Sequence, residues 1–254
     1  MIAVPMLPEE LDTGSEELTL AETFRQMLPP GAGVGVCRIT RDDNDGLRPL
    51  ERQSIVATAA QRRADFAAGR RAARTALTAC NFAPADIPIR ADRSPAWPDG
   101  VVGSISHSAH IAVAVCYSNA VIDAIGIDIE PSRNVTAELE SMILVEVELA
   151  ALRSLPSAER ETAATTLFSL KESYYKFQAS CTNRWLEFKD VSVRPGTLPG
   201  DFIIQEFSAP SFKPPLGAAI ARARHAAGFI ATVVYAPTTV RSPCSTLNRT
   251  VVQL

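Results

Sequence analysis

Two segments in different halves of the chain repeat one pattern. Residues 107–117 read HSAHIAVAVCY and residues 225–235 read HAAGFIATVVY, and the two align without a gap. A long helical region precedes each of them, so the sequence predicts an α+β fold of two similar halves related by a pseudo-twofold axis. We place the N-terminal half at 1–124 and the C-terminal half at 125–254. A cleft between two such halves is a preferred position for ligand sites.

A strand is predicted in the middle of the chain, where an apolar run leads into the sequence GIDIE and ends at Pro131. Side chains two apart on a strand share a face, so Asp128 and Glu130 point the same way while Ile127 and Ile129 point into the core. Two neighbouring carboxylates repel each other, which raises the pKa of at least one of them unless a cation lies between them. Their hard oxygens suit Mg²⁺, although an acidic pair at a strand end also occurs simply facing solvent.

An alanine-rich helical pattern over about residues 49–80 carries a cluster of arginines. Arg63, Arg70 and Arg74 fall on one broad face at helical spacing, and Arg62 lies near it. Most of them have no acid at a matching position. Both a solvated basic face and an anion-binding site fit this pattern.

The sequence GSISHS at residues 103–108 lies at a junction between two strands. Its three hydroxyls, glycine and histidine offer several short donors without bulk, which suits a phosphate cradle. A serine next to a histidine is also typical of nucleophilic catalysis. The chain lacks the strand–nucleophile–helix setting of an esterase elbow, however, which argues against a hydrolase triad.

A second helix, predicted from about Glu159 to Ala179, contains the sequence FSLKESYYK at residues 168–176. Glu172 and Lys176 are four residues apart and share one face. An exposed ion pair is the simplest interpretation of such a spacing. The aromatic and aliphatic residues around the pair leave little polar surface, which favours a face that borders a cleft.

Composition excludes several classes of protein. The net charge of −3 and a pI near 5.7 argue against nucleic-acid binding, so an anionic ligand needs a local basic cluster. No apolar segment reaches the length of a membrane span, and the first residues do not resemble a signal peptide. Five cysteines, never closely paired, fit a reduced cytoplasmic protein and exclude a CxxC site. We expect a cytoplasmic monomer whose end, from about residue 237, forms a mobile tail.

Taken in order, GSISH, GIDIE and FSLKE with its following Lys176 resemble the motifs of the 4′-phosphopantetheinyl transferase superfamily, of the Sfp/EntD type. The arginine-bearing helix at 62–74 and the sequence PAWP at 95–98 resemble its enterobactin-synthetase branch. The resemblance covers roughly residues 50–176. Phe168 stands where the family usually has Trp, a change that keeps the packing role.

The resemblance implies an enzyme that moves the 4′-phosphopantetheine group from coenzyme A to a serine of an apo carrier protein and releases 3′,5′-ADP. Asp128, Glu130 and Glu172 would bind Mg²⁺, with Mn²⁺ as an alternative. Glu172, Lys176 and Asp128 would be catalytic, with Glu172 taking the serine proton. The implied contacts to coenzyme A are Arg62, Arg70, Arg93, Ser106, His107, Lys171 and Lys176, and Arg63 fits nearly as well as Arg62.

The implied partners are carrier proteins or domains of fatty-acid, polyketide or non-ribosomal peptide synthases, including those of siderophore biosynthesis. Two alternatives remain open at the level of sequence. One is a Mg²⁺-dependent hydrolase of a phosphoanhydride or phosphodiester, which would use the same acids and arginines with water as the attacking group. The other is a non-catalytic module that binds the coenzyme or the carrier.

Overall fold

The computed structural model describes residues 13–40, 46–55, 59–182, 186–207 and 219–238. Within them lie the helices α1 (Thr13–Met27), α2 (Pro49–Gln53), α3 (Ala60–Ala79), α4 (Ala137–Ile143), α5 (Glu146–Arg153) and α6 (Ser157–Cys181). The strands are β1 (Gly33–Arg38), β2 (Val101–Ser108), β3 (Ile111–Ser118), β4 (Ile122–Pro131), β5 (Val191–Pro195), β6 (Asp201–Glu206), β7 (Ile220–Ala226) and β8 (Phe229–Pro237). The tail predicted from about residue 237 lies outside the described residues, apart from its first two positions, and Pro237 ends β8.

The first half is a three-stranded antiparallel sheet of order β1-β3-β2, with α3 packed on one face. The helix approaches closely because small residues form its buried side; Ala64, Ala67, Ala68, Ala72, Ala73 and Ala76 are all buried. Gly35 on β1 is part of the same contact, since a β-carbon there would collide with the carbonyl oxygen of Ala72. Burial of this face stabilises the sheet through apolar contact.

The second half is a five-stranded antiparallel sheet of order β4-β8-β7-β6-β5. Helix α6 packs on it close to β4, where a β-carbon on Gly126 would collide with the carbonyl oxygen of Ser173. Both Ile127 and Ile129 are fully buried in the core, as their alternation with Asp128 and Glu130 predicts. The GIDIE strand therefore lies between the apolar core on one face and α6 on the other.

The two halves share one topology, strand–helix–strand–strand, in which the first strand pairs with the last. In the first half these elements are β1, α3, β2 and β3, and in the second they are β4, α6, β7 and β8 with β5 and β6 inserted. Both hairpins that carry the repeated pattern close in the same way, with Ser108 opposite Ile111 and Ala226 opposite Phe229. The predicted α+β fold of two similar halves is confirmed.

A single large core joins the halves. Leu20 and Phe24 of α1, Val113 and Val115 of β3, and Val233 of β8 pack in it together with the β4 isoleucines. The proposed boundary between residues 124 and 125 lies within β4, which begins at Ile122. No helix in the described ranges has the length and apolarity needed to cross a bilayer.

One predicted helix is divided in the structure. The pattern over about 49–80 forms α2 and α3. Glu51 of α2 turns inward, where it is fully buried and both of its oxygens lie 2.9 Å from Nη1 of Arg74. Arg74, one of the predicted basic face, therefore has a structural partner.

Candidate active site

The two halves meet where β2 lies beside β4, and alternate serines of β2 hold the acidic residues of β4. Ser106 Oγ donates to Asp128 Oδ1 at 2.7 Å, and Ser108 Oγ donates to Glu130 Oε2 at 2.7 Å. Ser104 Oγ accepts a hydrogen bond from the β4 backbone at 3.1 Å. Serines at alternate positions share one face of a strand, so the sequence SISHS presents all three to β4.

Helix α6 adds a positive charge to this junction. Lys176 Nζ lies 2.7 Å from Asp128 Oδ1 and 3.0 Å from Ser106 Oγ. The carboxylate is almost completely buried, with 3% of its side chain exposed, whereas the lysine side chain is 28% exposed. The aspartate of this ion pair is therefore fixed in the interior, whereas its lysine is accessible to solvent.

The second oxygen of Asp128 has its own donor. Ser169 Oγ on α6 donates to Asp128 Oδ2 at 2.8 Å and also lies 2.9 Å from Thr232 Oγ1 of β8. We did not predict Ser169 or Thr232 as site residues from the sequence. The sequence did contain a pattern that indicates Ser169, because residues 169, 172 and 176 recur at helical spacing on one face of α6.

The other two predicted acids interact with the same charges. Burial raises the pKa of Glu130 to about 7 and the charge of Asp128 adds to this, while the Ser108 hydrogen bond and Lys176 oppose it. Burial likewise raises the pKa of Glu172, opposed by Lys176. The Glu172 charge also acts on Glu130. The structure therefore brings acids from β4 and from α6 to one place.

His107 and the first turn of α3 lie beside this group. Desolvation by the surrounding protein lowers the pKa of the His107 imidazole, although the residue keeps exposed surface. The charges of Asp65, Lys176, Asp128 and Arg62 all act on the ring as well, in that order of size. Arg62 is exposed, so a basic residue of the N-terminal half faces the junction with its charge open to solvent.

Lys171 is not part of the group, which corrects its assignment as a contact to coenzyme A. Its ammonium is completely buried, and Nζ lies 2.8 Å from Glu148 Oε2, 3.0 Å from the carbonyl oxygen of Ile143 and 2.9 Å from that of Phe188. An ammonium has three N–H donors, and these three partners use all of them. Lys176 lies five positions further along the helix, which turns the two side chains to different sides of α6.

The structure does not bring Arg70 or Arg93 to the group through any contact between described residues. Arg70 is buried, and burial lowers its pKa to about 10. Its guanidinium lies 4.1 Å from the centroid of the Phe66 ring, and its Nε donates to the carbonyl oxygen of Ile87. Arg93 lies on an exposed turn with a φ of 68°. Their role with coenzyme A stays a prediction.

A cavity of about 780 Å³ opens beside the group and includes Glu172 and Lys176 in its wall. Much of the rest of its wall is apolar, formed by Met142, Tyr175, Leu186 and Phe188 among others. A larger cavity of about 1150 Å³ lies between α5, α6 and strands β5 to β7, but none of the three predicted metal-binding acids lines it. The smaller cavity is therefore the one that the charged group adjoins.

Asp128, Glu130 and Glu172 are the candidate ligands of a divalent cation. In the described part of the chain no three metal-ligating side chains stand in a ready-made cluster. The residues still fit a hard cation, because Asp128 and Glu130 present carboxylate oxygens from one strand. Burial raises the pKa of Glu130, and the negative charge of Asp128 raises it further, which a bound cation would oppose. Mg²⁺ commonly takes only one or two protein carboxylates and completes its shell with water and substrate phosphate.

Comparison with known proteins shows the family to which the chain is similar. Residues 50–117 match the model of the 4′-phosphopantetheinyl transferase N-terminal domain, and residues 124–214 match that of the 4′-phosphopantetheinyl transferase superfamily. The chain is 35% identical over 155 residues to the 4′-phosphopantetheinyl transferase PptT of Mycobacterium tuberculosis, covering 59% of this chain and 67% of that protein. It is 40% identical over 124 residues to enterobactin synthase component D of Salmonella typhi, covering 46% and 48%.

A third relative, the 4′-phosphopantetheinyl transferase Npt of Nocardia iowensis, is 34% identical over 154 residues, which cover 57% of this chain and 64% of that one. The chain thus spans about half to two thirds of the length of these relatives. Among solved structures it is similar to the holo-[acyl-carrier-protein] synthase of Thermotoga maritima, with 22% identity and a TM-score of 0.35 over 46% of this chain and 63% of that one.

The matched regions include all the sequence motifs that resemble this family, from the arginine-bearing helix to Lys176. Both matched models describe 4′-phosphopantetheinyl transferases. The chain belongs to the 4′-phosphopantetheinyl transferase superfamily. It is an enzyme of the class that transfers the phosphopantetheine group of coenzyme A to carrier proteins.

Proposed function

We propose that the junction of Asp128, Ser106 and Lys176 is the active site for transfer of 4′-phosphopantetheine to a carrier serine. One observation carries this proposal: Lys176 Nζ contacts both Asp128 Oδ1 and Ser106 Oγ. A buried carboxylate from the second half, a hydroxyl from the first half and a cation from α6 thereby meet at one point. These three residues come from three motifs that are far apart in the sequence.

The reaction is phosphoryl transfer. The serine oxygen attacks the phosphorus that carries the pantetheine, the bond from that phosphorus to the 3′,5′-ADP oxygen breaks, and the serine proton passes to a base. Catalysis of this kind depends on positioning and on compensation of negative charge. Lys176 supplies a positive charge at the pyrophosphate, and His107 and Arg62 bind the phosphates of the nucleotide at the mouth of the site.

Glu172 is the proposed base. Its pKa is raised by burial, and a carboxylate of raised pKa takes a proton more readily than an exposed one at the same pH. It also lines the cavity beside Lys176, so a hydroxyl that enters there meets the base and the cation together. The proton that the carrier serine loses during the attack passes to Glu172, directly or through one water.

Asp128, Glu130 and Glu172 are the residues that would hold a divalent cation, Mg²⁺ or Mn²⁺. When bound, such an ion supplies positive charge to the pyrophosphate and to the leaving group. The donor chemistry described above supports this assignment. Ser108 and Asn134 fix the Glu130 carboxylate, since both donate to its Oε2 at 2.7 and 2.9 Å.

The apolar cavity beside Glu172 and Lys176 is the proposed place for the pantetheine arm and the approaching carrier. Its volume of about 780 Å³ lies in the range of ligand pockets, and its wall is largely apolar apart from the charged residues. Carriers of fatty-acid, polyketide or non-ribosomal peptide synthases all present the required serine. The proposed enzyme acts in the cytoplasm as a monomer, and its five widely spaced cysteines support a reducing compartment.

One assay tests the proposal. The protein is mixed with coenzyme A, Mg²⁺ and an apo carrier, and the carrier is weighed by intact-mass spectrometry. The proposal predicts that the carrier gains the mass of one phosphopantetheine group and that 3′,5′-ADP appears in equal amount. Cleavage of coenzyme A without a gain in carrier mass would indicate a hydrolase instead. Neither product would indicate a binding module.

A further inference from the structure

We propose that Ser169 is a positioning residue for Asp128 and the last member of a buried chain of three hydroxyls. The inference rests on the proposed function, because Asp128 is the carboxylate at the centre of that site. Ser169 touches neither the cleft nor Lys176 in any described contact. Its effect on the reaction is therefore exerted through the aspartate.

The three hydroxyls belong to α6 and β8 and have no exposed surface. Ser169 Oγ lies 2.8 Å from Asp128 Oδ2 and 2.9 Å from Thr232 Oγ1. Ser173 Oγ lies 2.7 Å from Thr232 Oγ1. Ser169, Ser173 and Thr232 are all 0% exposed. Water cannot replace a missing partner at such a place without a cavity to hold it.

The charge of Asp128 sets the direction of the hydrogen bond that it receives from Ser169. Each hydroxyl has one proton to donate, and an ionised carboxylate has none, so Ser169 must donate to Asp128. The Thr232 hydroxyl donates to the carbonyl oxygen of Ser169 at 3.0 Å. The Ser173 hydroxyl donates to Thr232, either to Oγ1 at 2.7 Å or to the carbonyl oxygen at 3.2 Å. Both neighbouring hydroxyls therefore have acceptors of their own, and the Ser169 proton is left for Asp128.

The two carboxylate oxygens of Asp128 have different partners. Oδ2 is occupied by Ser169, on the interior side. Oδ1 is the oxygen that faces Ser106 and Lys176, at the junction of the halves. Without the Ser169 hydroxyl, Oδ2 would be buried with no donor, and the carboxylate would be driven to rotate toward the remaining donors. The oxygen presented to the cleft would then change.

The test compares Ser169→Ala with Ser173→Ala. Both remove one fully buried hydroxyl from the same helix and the same chain, but only Ser169 contacts Asp128. Partners that orient a metal-binding or catalytic side chain typically change affinity or activity about 10–100-fold when removed. We expect a loss of kcat of that order for Ser169→Ala, a much smaller loss for Ser173→Ala, and recovery in Ser169→Thr, which keeps the hydroxyl.

A second readout does not depend on turnover. Mn²⁺ binding to each variant in the presence of coenzyme A is measured by electron paramagnetic resonance, together with the melting temperature. We expect weaker Mn²⁺ binding in Ser169→Ala than in Ser173→Ala at similar melting temperatures. Should Ser169→Ala fail to fold, Ser169→Cys, which has a weak donor of similar size, replaces it.

Equal kcat and equal Mn²⁺ affinity in the two alanine variants would overturn the inference. Inactivity of the unaltered protein toward every carrier would instead count against the proposed function. In that case the Mn²⁺ comparison still decides whether Ser169 positions Asp128. The two failures are therefore distinguishable.

Discussion

Lys171 Nζ and Glu148 Oε2 lie 2.8 Å apart inside the second half, and neither side chain has more than 1% of its surface exposed. The pair joins α5 to α6. Glu148 also accepts hydrogen bonds from the backbone N–H of Val145 at 2.8 Å and of Val193 at 2.7 Å, which ties both helices to β5. Because Glu172 follows Lys171 directly, this contact fixes the rotation of α6 that turns Glu172 and Lys176 toward the cleft.

Replacement of Lys171 alone is predicted to be strongly destabilising. Lys171→Met leaves the Glu148 charge buried without its partner, which costs about 3–5 kcal/mol of unfolding free energy. Urea denaturation followed by circular dichroism measures this. The double variant Lys171→Met/Glu148→Gln should recover part of the loss, because the neutral amide removes the unpaired buried charge and its oxygen can still accept one of the two backbone hydrogen bonds from Val145 and Val193.

A matched control for that experiment is the exposed pair of Arg153 and Glu146, whose atoms lie 3.0 Å apart on the surface. Arg153→Met should change the unfolding free energy by less than about 1 kcal/mol. If Lys171→Met were no more harmful than Arg153→Met, the buried pair would not anchor α6.

Glu172→Gln is predicted to remove most of the turnover and to leave the fold intact. The amide keeps the size of the side chain but cannot take the serine proton, and general base catalysis typically contributes about 100- to 10,000-fold. The initial rate of carrier modification gives kcat, and the melting temperature checks the fold. Glu187→Gln is the control, because Glu187 lines the same cavity. Near-normal turnover of Glu172→Gln would remove Glu172 as the base.

Removal of the basic groups at the mouth of the site should weaken binding of coenzyme A. A charge-assisted hydrogen bond contributes about 1.5–3 kcal/mol, so His107→Ala or Arg62→Ala should raise the KM for coenzyme A about 10-fold or more. The KM for the carrier should change much less. Arg63→Ala, at the neighbouring position on α3, tests which of the two arginines makes the contact. An unchanged KM for coenzyme A in His107→Ala would exclude it from the phosphate site.

Gly126→Ala is predicted to push α6 away from β4. The added β-carbon would collide with the carbonyl oxygen of Ser173 and with the backbone nitrogen of Phe177, which are parts of the helix backbone and cannot turn aside. Overpacking of this kind typically costs about 1–3 kcal/mol, measured as a loss of unfolding free energy. Gly35→Ala, at the equivalent contact with Ala72 in the first half, is the comparison variant.

The two glycine variants should differ in activity when both remain folded. Gly126→Ala displaces the helix that carries Glu172 and Lys176, so kcat should fall. Gly35→Ala displaces α3 and should leave kcat nearer to normal. Equal kcat values in the two folded variants would contradict the claim that catalysis requires the close packing of α6 on β4.

The sequence was sufficient for the parts of the site that are set by local periodicity. Alternation on one strand placed Asp128 and Glu130 on one face, and helical spacing placed Glu172 with Lys176. The repeated hairpin predicted the two similar halves. These features depend on residues close together in the chain, where geometry is fixed by the strand and helix periods.

Other parts depend on contacts between distant segments, which no local pattern reveals. Lys171 belongs to the same motif as Glu172, yet its partner Glu148 lies on another helix and turns it inward. Thr232 enters the site only because β8 pairs with β4 at Asp128. The burial of Glu51 on α2 and its contact with Arg74 on α3 likewise join two separate helices, which a helical period does not predict.

The central claim is that the carboxylate joining the two halves is essential for transfer. Asp128→Asn keeps the size of the side chain and removes its charge, while Asp123→Asn makes the same change on the same strand outside the junction. Both proteins are incubated with coenzyme A, Mg²⁺ and apo carrier, and the carrier is weighed over time. We predict almost no phosphopantetheinylated carrier with Asp128→Asn and a normal rate with Asp123→Asn; equal rates in the two variants would contradict the account.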